Sequence, residues 1–253
     1  MSNVWYGLEE KVAVITGGSR GIGLELAKAL VAQKAKVVVC GRKKEGLEAA
    51  VAAIDGGDRV LAVPAHIAKE EDVNALFDAA VKTFGHVDIL INNVGMNLLT
   101  GSVVDTEPAT WNKIIESNLT GTFLCSRKAA MIMRERKRGR IVSISSIAGR
   151  KAAPGMGIYG IAKAGIEMLT KVLAFELAQF NIQVNAVAPA MVKTDFSKPF
   201  WSNDAIRVEI EKGIPMGRIA EVEDVIHPVL FLCSDKAEFI TGQVLVVDGG
   251  TLA

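Results

Sequence analysis

Tyr159 and Lys163 stand four residues apart in the stretch YGIAKAG, with nothing bulky or charged between them. Four residues is just over one helical turn, so on a helix both side chains share a face. A phenol can act as a proton donor or acceptor, but an ordinary tyrosine ionises near pH ~10. Acid and base work near neutrality calls for a drop of about 3 units, or about 4 kcal/mol. A positive charge about 4 Å away, at an effective dielectric near 20, supplies about 4 kcal/mol. The spacing therefore predicts a phenol made acidic by the ammonium beside it. A helix tyrosine at the edge of a core is the plain alternative.

A second group with chemical potential lies near the start of the chain. In VAVITGGSRGIGLELAKAL, Gly17, Gly21 and Gly23 give the spacing G-x-x-x-G-x-G between a strand pattern and a helix pattern. Glycines let the backbone turn and approach a ligand closely. A helix start behind them offers free N–H groups and a positive dipole end to a pyrophosphate. A tight strand-to-helix turn alone could use the same glycines, but this one opens the first strand of a βαβ series, the context a dinucleotide site requires. An NAD site usually places an acid about 20 residues further on, to hold the ribose 2′-hydroxyl. Here VVVCGRKK puts Gly41 at that place, followed by Arg42 and Lys43. No carboxylate repels a 2′-phosphate, and Arg42 offers a planar fork to bind it, with Arg20 in the turn as a second cation. The residues favour NADP(H) over NAD(H), with NAD(H) left open; solvated charges at a helix start are the other reading.

These groups need a scaffold. Near-continuous apolar runs at 11–16, 35–40, 59–63, 87–91, 139–145, 182–187 and 243–247 read as strands covered on both faces. Helix-length patterns fill 21–33, 43–54, 69–84, 106–136, 157–180 and 221–234. In the third of these, Val73, Leu76, Phe77, Ala80 and Phe84 form one apolar stripe, and Gly85 is the expected C-cap. Such alternation predicts an α/β chain: a Rossmann-type, doubly wound parallel sheet of about seven strands with helices on both faces, in a single domain over 1–253. The longest break, 189–215, carries Pro189, Pro199 and Pro215 and is expected to be a lid over the substrate.

Composition narrows the partners. The formal net charge of +1 gives no electrostatic reason to expect nucleic acid or an anionic membrane. No apolar run approaches a membrane span, and the start MSNVWYGLEEK lacks the pattern of a secretory signal. Cys40, Cys125 and Cys233 are scattered and odd in number, as reduced core residues of a cytoplasmic protein would be, and with three histidines and no cysteine pair no metal site is expected.

Taken together, TGGSRGIG (16–23), NNVG (92–95), NLTGTF (118–123), SISSIAG (143–149), YGIAK (159–163) and NAVAPAMVKTD (185–195) resemble, in order, the motifs of the short-chain dehydrogenase/reductase family, in its branch of about 250 residues. The resemblance covers nearly the whole chain. It implies catalytic roles for Asn118, Ser146, Tyr159 and Lys163: Tyr159 as proton donor, Ser146 holding the substrate oxygen, Lys163 also holding the nicotinamide ribose, and Asn118 holding a water that links Lys163 to solvent. Ser145, its neighbour on a strand end, should face away. The resemblance implies cofactor contacts from Gly17, Ser19, Arg20, Gly21, Ile22 and Gly23 of the turn, and from Arg42 and Lys43. Further contacts are implied for His66, Ile67, Asn93, Val94 and Gly95, for Tyr159 and Lys163 themselves, and for Pro189, Val192 and Thr194.

Three stretches depart from the family pattern. His66 and Ile67 replace the usual Asp-Val pair near the adenine, Val94 replaces a smaller Ala, and Ala190 replaces a Gly that would reach positive φ with ease. None removes a group needed for hydride transfer, but together they leave room for a weakly active or nucleotide-binding paralogue. Met191, Val192, Phe196, Phe200 and Trp201 of the lid suggest an apolar or aromatic carbonyl substrate, with GMNLLTGSVV and AAPGMGI as other walls. The expected activity is hydride transfer between NADP(H) and a ketone or secondary alcohol. Rivals are a 3-oxoacyl-carrier-protein or acyl-CoA reductase, docking an acidic carrier through RERKRGR (134–140), and an NAD-dependent alcohol or polyol dehydrogenase. Phe180 stands where a carrier-docking arginine would be expected. By resemblance the chain would form a homotetramer.

Overall fold

The protein is described from a computed structural model covering residues 5–253; residues 1–4, which begin the expected 1–253 unit and the start tested for a signal pattern, lie outside the described residues. Seven strands form one sheet: β1 Val12–Thr16, β2 Lys36–Gly41, β3 Val60–Pro64, β4 Ile89–Asn92, β5 Gly139–Ile144, β6 Ile182–Pro189 and β7 Val244–Val247. Their order is β3-β2-β1-β4-β5-β6-β7, and every neighbouring pair is parallel. The chain winds outward from β1 to β3, then returns to start β4 on the other side of β1. That reversal opens a crevice beyond the C-terminal ends of β1 and β4, the usual ligand position in such sheets.

Strand residues alternate between two cores, as the pleat demands. Ile15, Val37, Val39 and Ile91 pack on one face with helices α1 (Gly21–Ala32) and α9 (Val222–Cys233). Val14, Val38, Leu90 and Ile141 pack on the other with α3 (Glu70–Phe84), α5 (Gly121–Arg136) and α6 (Gly157–Leu177). α2 (Lys44–Ile54) joins β2 to β3. The expected stripe of α3 is buried at Val73, Leu76, Phe77 and Ala80, three acids open the helix, and Gly85 ends it in a left-handed conformation at φ +86°.

Two expectations need correction. The long helix expected over 106–136 starts at Pro108 as α4 (Pro108–Ile115) and is separated from α5 by a π turn, Glu116–Thr120. A π turn bonds i to i+5 and frees a carbonyl. At its start the carbonyl of Ile114 accepts the side-chain amide of Asn118 at 2.8 Å. The break at 189–215 is not irregular throughout: it holds α7 (Lys198–Trp201) and α8 (Asp204–Lys212). Three prolines read as breakers, but Pro199 sits in the first turn of α7, where its missing N–H costs nothing. Asn203 caps α8, its Oδ1 accepting Ala205 N at 3.0 Å and Ile206 N at 3.3 Å.

Candidate active site

Tyr159 and Lys163 both lie on α6 and are nearly sealed from solvent, with 9% and 2% of their surface exposed. Lys163 Nζ donates to the carbonyl oxygen of Ile144, the last residue of β5, at 2.8 Å. It stands 5.4 Å from the centre of the Tyr159 ring. Ser146, two residues beyond Ile144, adopts an extended backbone and caps a short 3₁₀ turn, Ile147–Gly149, accepting Ala148 N at 3.2 Å. Its side chain acts on the Tyr159 phenol in the direction that favours ionisation. Ser145 turns the other way, as strand alternation requires: its hydroxyl meets the Lys163 carbonyl and the Glu167 carboxylate, each at 3.2 Å.

Burial works against the shift that spacing predicts. Burial pushes the Tyr159 phenol up to about 12, with the Ser146 side chain opposing it. Burial also pulls Lys163 down to about 8. Shared helical face is therefore not enough. Desolvation is the largest influence on both groups, and the ammonium proton is directed at the Ile144 carbonyl.

Asn118 is fully buried, with its amide committed to backbone: Nδ2 donates to Met96 O and Ile114 O, both at 2.8 Å, and Oδ1 accepts Met96 N at 3.2 Å. It borders the same space as Lys163: a side chain placed on Gly95 would meet Lys163 Nζ at 3.7 Å and Asn118 Oδ1 at 3.9 Å.

At the crevice, Gly17 and Gly21 take the left-handed conformation, at φ +65° and +55°. Arg20 precedes α1 in an extended conformation without capping its helix, and no acid occupies the first turn. The first intrahelical bond runs from Leu24 N to Arg20 O, leaving the N–H groups of Gly21, Ile22 and Gly23 without a helical acceptor. Asn93 holds this turn, its Nδ2 donating to Thr16 O and Gly17 O at 3.1 Å each, while Thr16 Oγ1 accepts Asn93 N and Val94 N. From the far side of the chain, Thr194 comes over Gly21, 3.7 Å from where a side chain would begin. Ser19 lies beside Gly41, its Oγ 3.3 Å from where a side chain at 41 would start. Arg20, Arg42 and Lys43 project outward, and among the described residues none of them is in an ion pair. Left-handed glycines, free N–H groups and unpaired cations fit the diphosphate and ribose end of a nicotinamide dinucleotide.

The departures from the family pattern are accommodated. His66 Nδ1 accepts Ala68 N at 3.3 Å, which leaves the ring proton of a neutral imidazole on Nε2 as a donor. Asp72 Oδ2 takes the His66 backbone N–H at 2.8 Å. Ile67 is buried against the Gly121 end of α5. Val94 leans a methyl group on Gly17, 3.1 Å from where a side chain would stand. Ala190 is not among the residues at positive φ, and its N–H bonds Val247 O at 3.0 Å, so the missing glycine costs no strain here. Pro189 ends β6, and Val192 is buried.

Sequence reasoning passed over Thr16 and Ser197. Ser197 accepts Thr194 N at 3.2 Å and donates to Val192 O, and the Trp201 indole donates to Thr194 O and Ser197 Oγ at 3.2 and 3.1 Å. A Ser three residues after Thr194 was the available signal for such a turn.

A cavity of about 470 Å³ behind the β4 crossover is lined by Leu98, Leu99, Asp105, Thr106 and Glu107, and by none of Ser146, Tyr159 or Lys163. The basic run 134–140 lies at the start of β5, the opposite edge of the sheet from Ser146. Four of its five cations have partners: Arg136 on Asp88 at 3.1 Å, Arg138 on Asp235 at 2.9 Å, Arg140 on Gln183 and Asp235, and Arg134 over the Phe180 ring at 5.3 Å, while Lys137 is exposed.

A glycine turn at the switch point of a parallel sheet, facing a buried Ser-Tyr-Lys group, defines a dinucleotide-dependent oxidoreductase site. Residues 17–251 match the family described as enoyl-(acyl carrier protein) reductase. The chain belongs to the short-chain dehydrogenase/reductase family and is an NAD(P)-dependent oxidoreductase acting on small molecules. It is 38% identical over 245 residues to human (Homo sapiens) dehydrogenase/reductase SDR family member 4, covering 96% of this chain and 88% of that protein. A short-chain type dehydrogenase/reductase from Mycobacterium ulcerans superposes with a TM-score of 0.93 at 30% identity, over 97% of this chain and 90% of that one. Levodione reductase superposes with a TM-score of 0.91 at 30% identity, over 96% and 98%. No helix among the described residues is long and apolar enough to cross a membrane.

Proposed function

We propose that this chain interconverts an apolar or aromatic ketone and its secondary alcohol, with NADP(H) preferred as hydride carrier. The observation that carries the reading is the joining of Ser146, just beyond β5, with Tyr159 and Lys163 of α6, at the end of the sheet that carries the glycine turn. When bound, the nicotinamide supplies or accepts a hydride at the carbonyl carbon. In reduction, the Tyr159 O–H bond breaks and its proton passes to the carbonyl oxygen, completing the alcohol. Ser146 donates a hydrogen bond to that oxygen as charge develops. Lys163 holds positive charge behind the phenol once Tyr159 has lost its proton, and its position against Ile144 fixes the helix register that aligns Tyr159 with Ser146. Oxidation runs the same groups in reverse.

The NADP(H) preference is supported by Gly41 in place of an acid, with Arg20, Arg42 and Lys43 unpaired around it. The segment 189–215 acts as the lid, hinged where Thr194 crosses Gly21. A carrier-protein substrate has less support, because most cations of the basic run have partners and the run lies on the far edge. Dehydrogenase relatives keep an NAD-dependent alcohol or polyol oxidation as the second reading. Exposed apolar side chains on α5 and α6, Phe123, Met131, Met168 and Phe175, support the expected homotetramer, and buried unpaired thiols suit a cytoplasmic setting. The test is a screen of aromatic ketones, diketones, polyols and 3-oxoacyl thioesters with NADPH and NADH, run with Tyr159→Phe. Turnover that survives Tyr159→Phe at the wild-type rate, or a preference for NADH, overturns the corresponding part.

A further inference from the structure

Ser146 sits at the mouth of a turn that has to stay in place for its hydroxyl to meet Tyr159, and three residues outside the reacting group hold that turn. Glu167 lies on α6 one turn beyond Lys163 and is 8% exposed. Its Oε1 accepts the Ser145 hydroxyl at 3.2 Å, from the residue just before Ser146. Both its oxygens accept Arg150 Nε, at 2.9 and 3.2 Å, from the residue that follows the 3₁₀ turn. One carboxylate thus grips the turn at both ends. Ser145 also reaches the Lys163 carbonyl, and Arg150 Nη2 extends to Val244 O on β7 at 3.5 Å. Within the grip, Gly149 presses on α6 so closely that a side chain there would meet Ala164 N at 2.8 Å. A buried carboxylate held by a guanidinium and a hydroxyl is costly to leave half-paired, so the arrangement resists loosening.

We propose that Glu167, with Arg150 and Ser145, is a positioning device for the reaction: it fixes the 146–150 turn against α6 and so sets the approach of Ser146 to Tyr159. The inference rests on the reading of Ser146 and Tyr159 given above. It assigns no contact with substrate or cofactor to Glu167.

A double-mutant cycle separates positioning from general support of the fold. Glu167→Gln keeps the size and removes the charge that grips Arg150. The expected result is a loss of about 10- to 100-fold in kcat for ketone reduction, the scale of a small misplacement, with cofactor affinity unchanged. In a Ser146→Ala background the same change should cost less than about twofold, because the group being positioned is gone. Losses that multiply across the cycle, or no loss of kcat from Glu167→Gln, overturn the proposal. Hydrogen exchange of the 147–151 amides gives a readout that needs no turnover: in Glu167→Gln they should exchange at least about tenfold faster, while the amides of α3 stay as in the wild type. Unchanged exchange at 147–151 overturns the grip whatever the activity. Turnover intact in Tyr159→Phe instead overturns the catalytic reading, and the exchange data still decide the grip. If Glu167→Gln does not fold, Arg150→Gln at the more exposed end of the pair carries the same cycle.

Discussion

Lys163 donates its ammonium proton to the carbonyl of Ile144 at 2.8 Å, tying the middle of α6 to the last residue of β5. That contact brings the phenol one turn earlier on α6 to the serine two residues later in the chain. It also leaves a cation in a site that burial disfavours, which makes its consequences measurable.

The folded pKa of Lys163, about 8, lies below the ordinary value of 10.5. Below pH 8 the amine is charged in both folded and unfolded chains, so the full burial cost applies, on the order of 3 kcal/mol. Between pH 8 and 10.5 the unfolded chain binds more protons, so this contribution to stability improves as pH rises. Lys163→Met is expected to be more stable than the wild type at pH 7 by about 1–2 kcal/mol, after allowing about 1 kcal/mol for the lost Ile144 hydrogen bond. Urea unfolding at pH 7 and pH 9.5 checks this: the advantage should shrink at the higher pH. A variant less stable at pH 7 contradicts it. The comparison stops near pH 10, since Tyr159, about 12 folded against 10 unfolded, lowers stability through that higher window.

Removing the phenol should remove the proton path. Tyr159→Phe is expected to lower kcat by about 10²- to 10⁴-fold with little change in cofactor affinity. Ser146→Ala should do more than slow the reaction. The Ser146 side chain holds the phenol lower than burial alone would. Without it, the rise of alcohol oxidation with pH should move to higher pH. A pH–rate profile that stays in place would show that Ser146 does not bear on Tyr159.

Arg42 decides cofactor choice if the 2′-phosphate reading is right. A charge-assisted contact is worth about 1.5–3 kcal/mol, so Arg42→Ala should weaken NADPH binding by about 10- to 100-fold. NADH, which lacks the phosphate, should change by less than about threefold. Equal losses for both, followed by fluorescence titration, would assign Arg42 to a shared part of the cofactor or to solvent.

The Trp201 indole ties α7 to Thr194 and Ser197. Trp201→Phe keeps the ring and deletes the donor, a loss of about 1 kcal/mol. If the turn that carries Thr194 over Gly21 closes on the cofactor, binding should weaken by about three- to tenfold. Unaltered cofactor affinity, measured by calorimetry, would detach the lid from the glycine turn.

Much of this was legible in the chain itself. Apolar runs such as VAVIT and KVVVC can only be strands buried on both faces, and the stripe from Val73 to Ala80 can only be one side of a helix. Gly17 and Gly21 announced a turn that side chains would block, and alternation along β5 was enough to send Ser145 and Ser146 in opposite directions. These are short-range effects: backbone sterics and the periods of the two regular structures act within a few residues. The tertiary structure decided what depends on distant segments. It alone placed Thr194 over Gly21, set Asn93 to brace the glycine turn, and turned the amide of Asn118 to the backbone of Met96 and Ile114. It paired the basic run with Asp88 and Asp235, neither of them its neighbour in sequence. It also set burial against the expected shift at Tyr159. Spacing put a lysine beside the phenol, but a pKa depends on the water removed and the carbonyls met, and both are set by packing from across the chain.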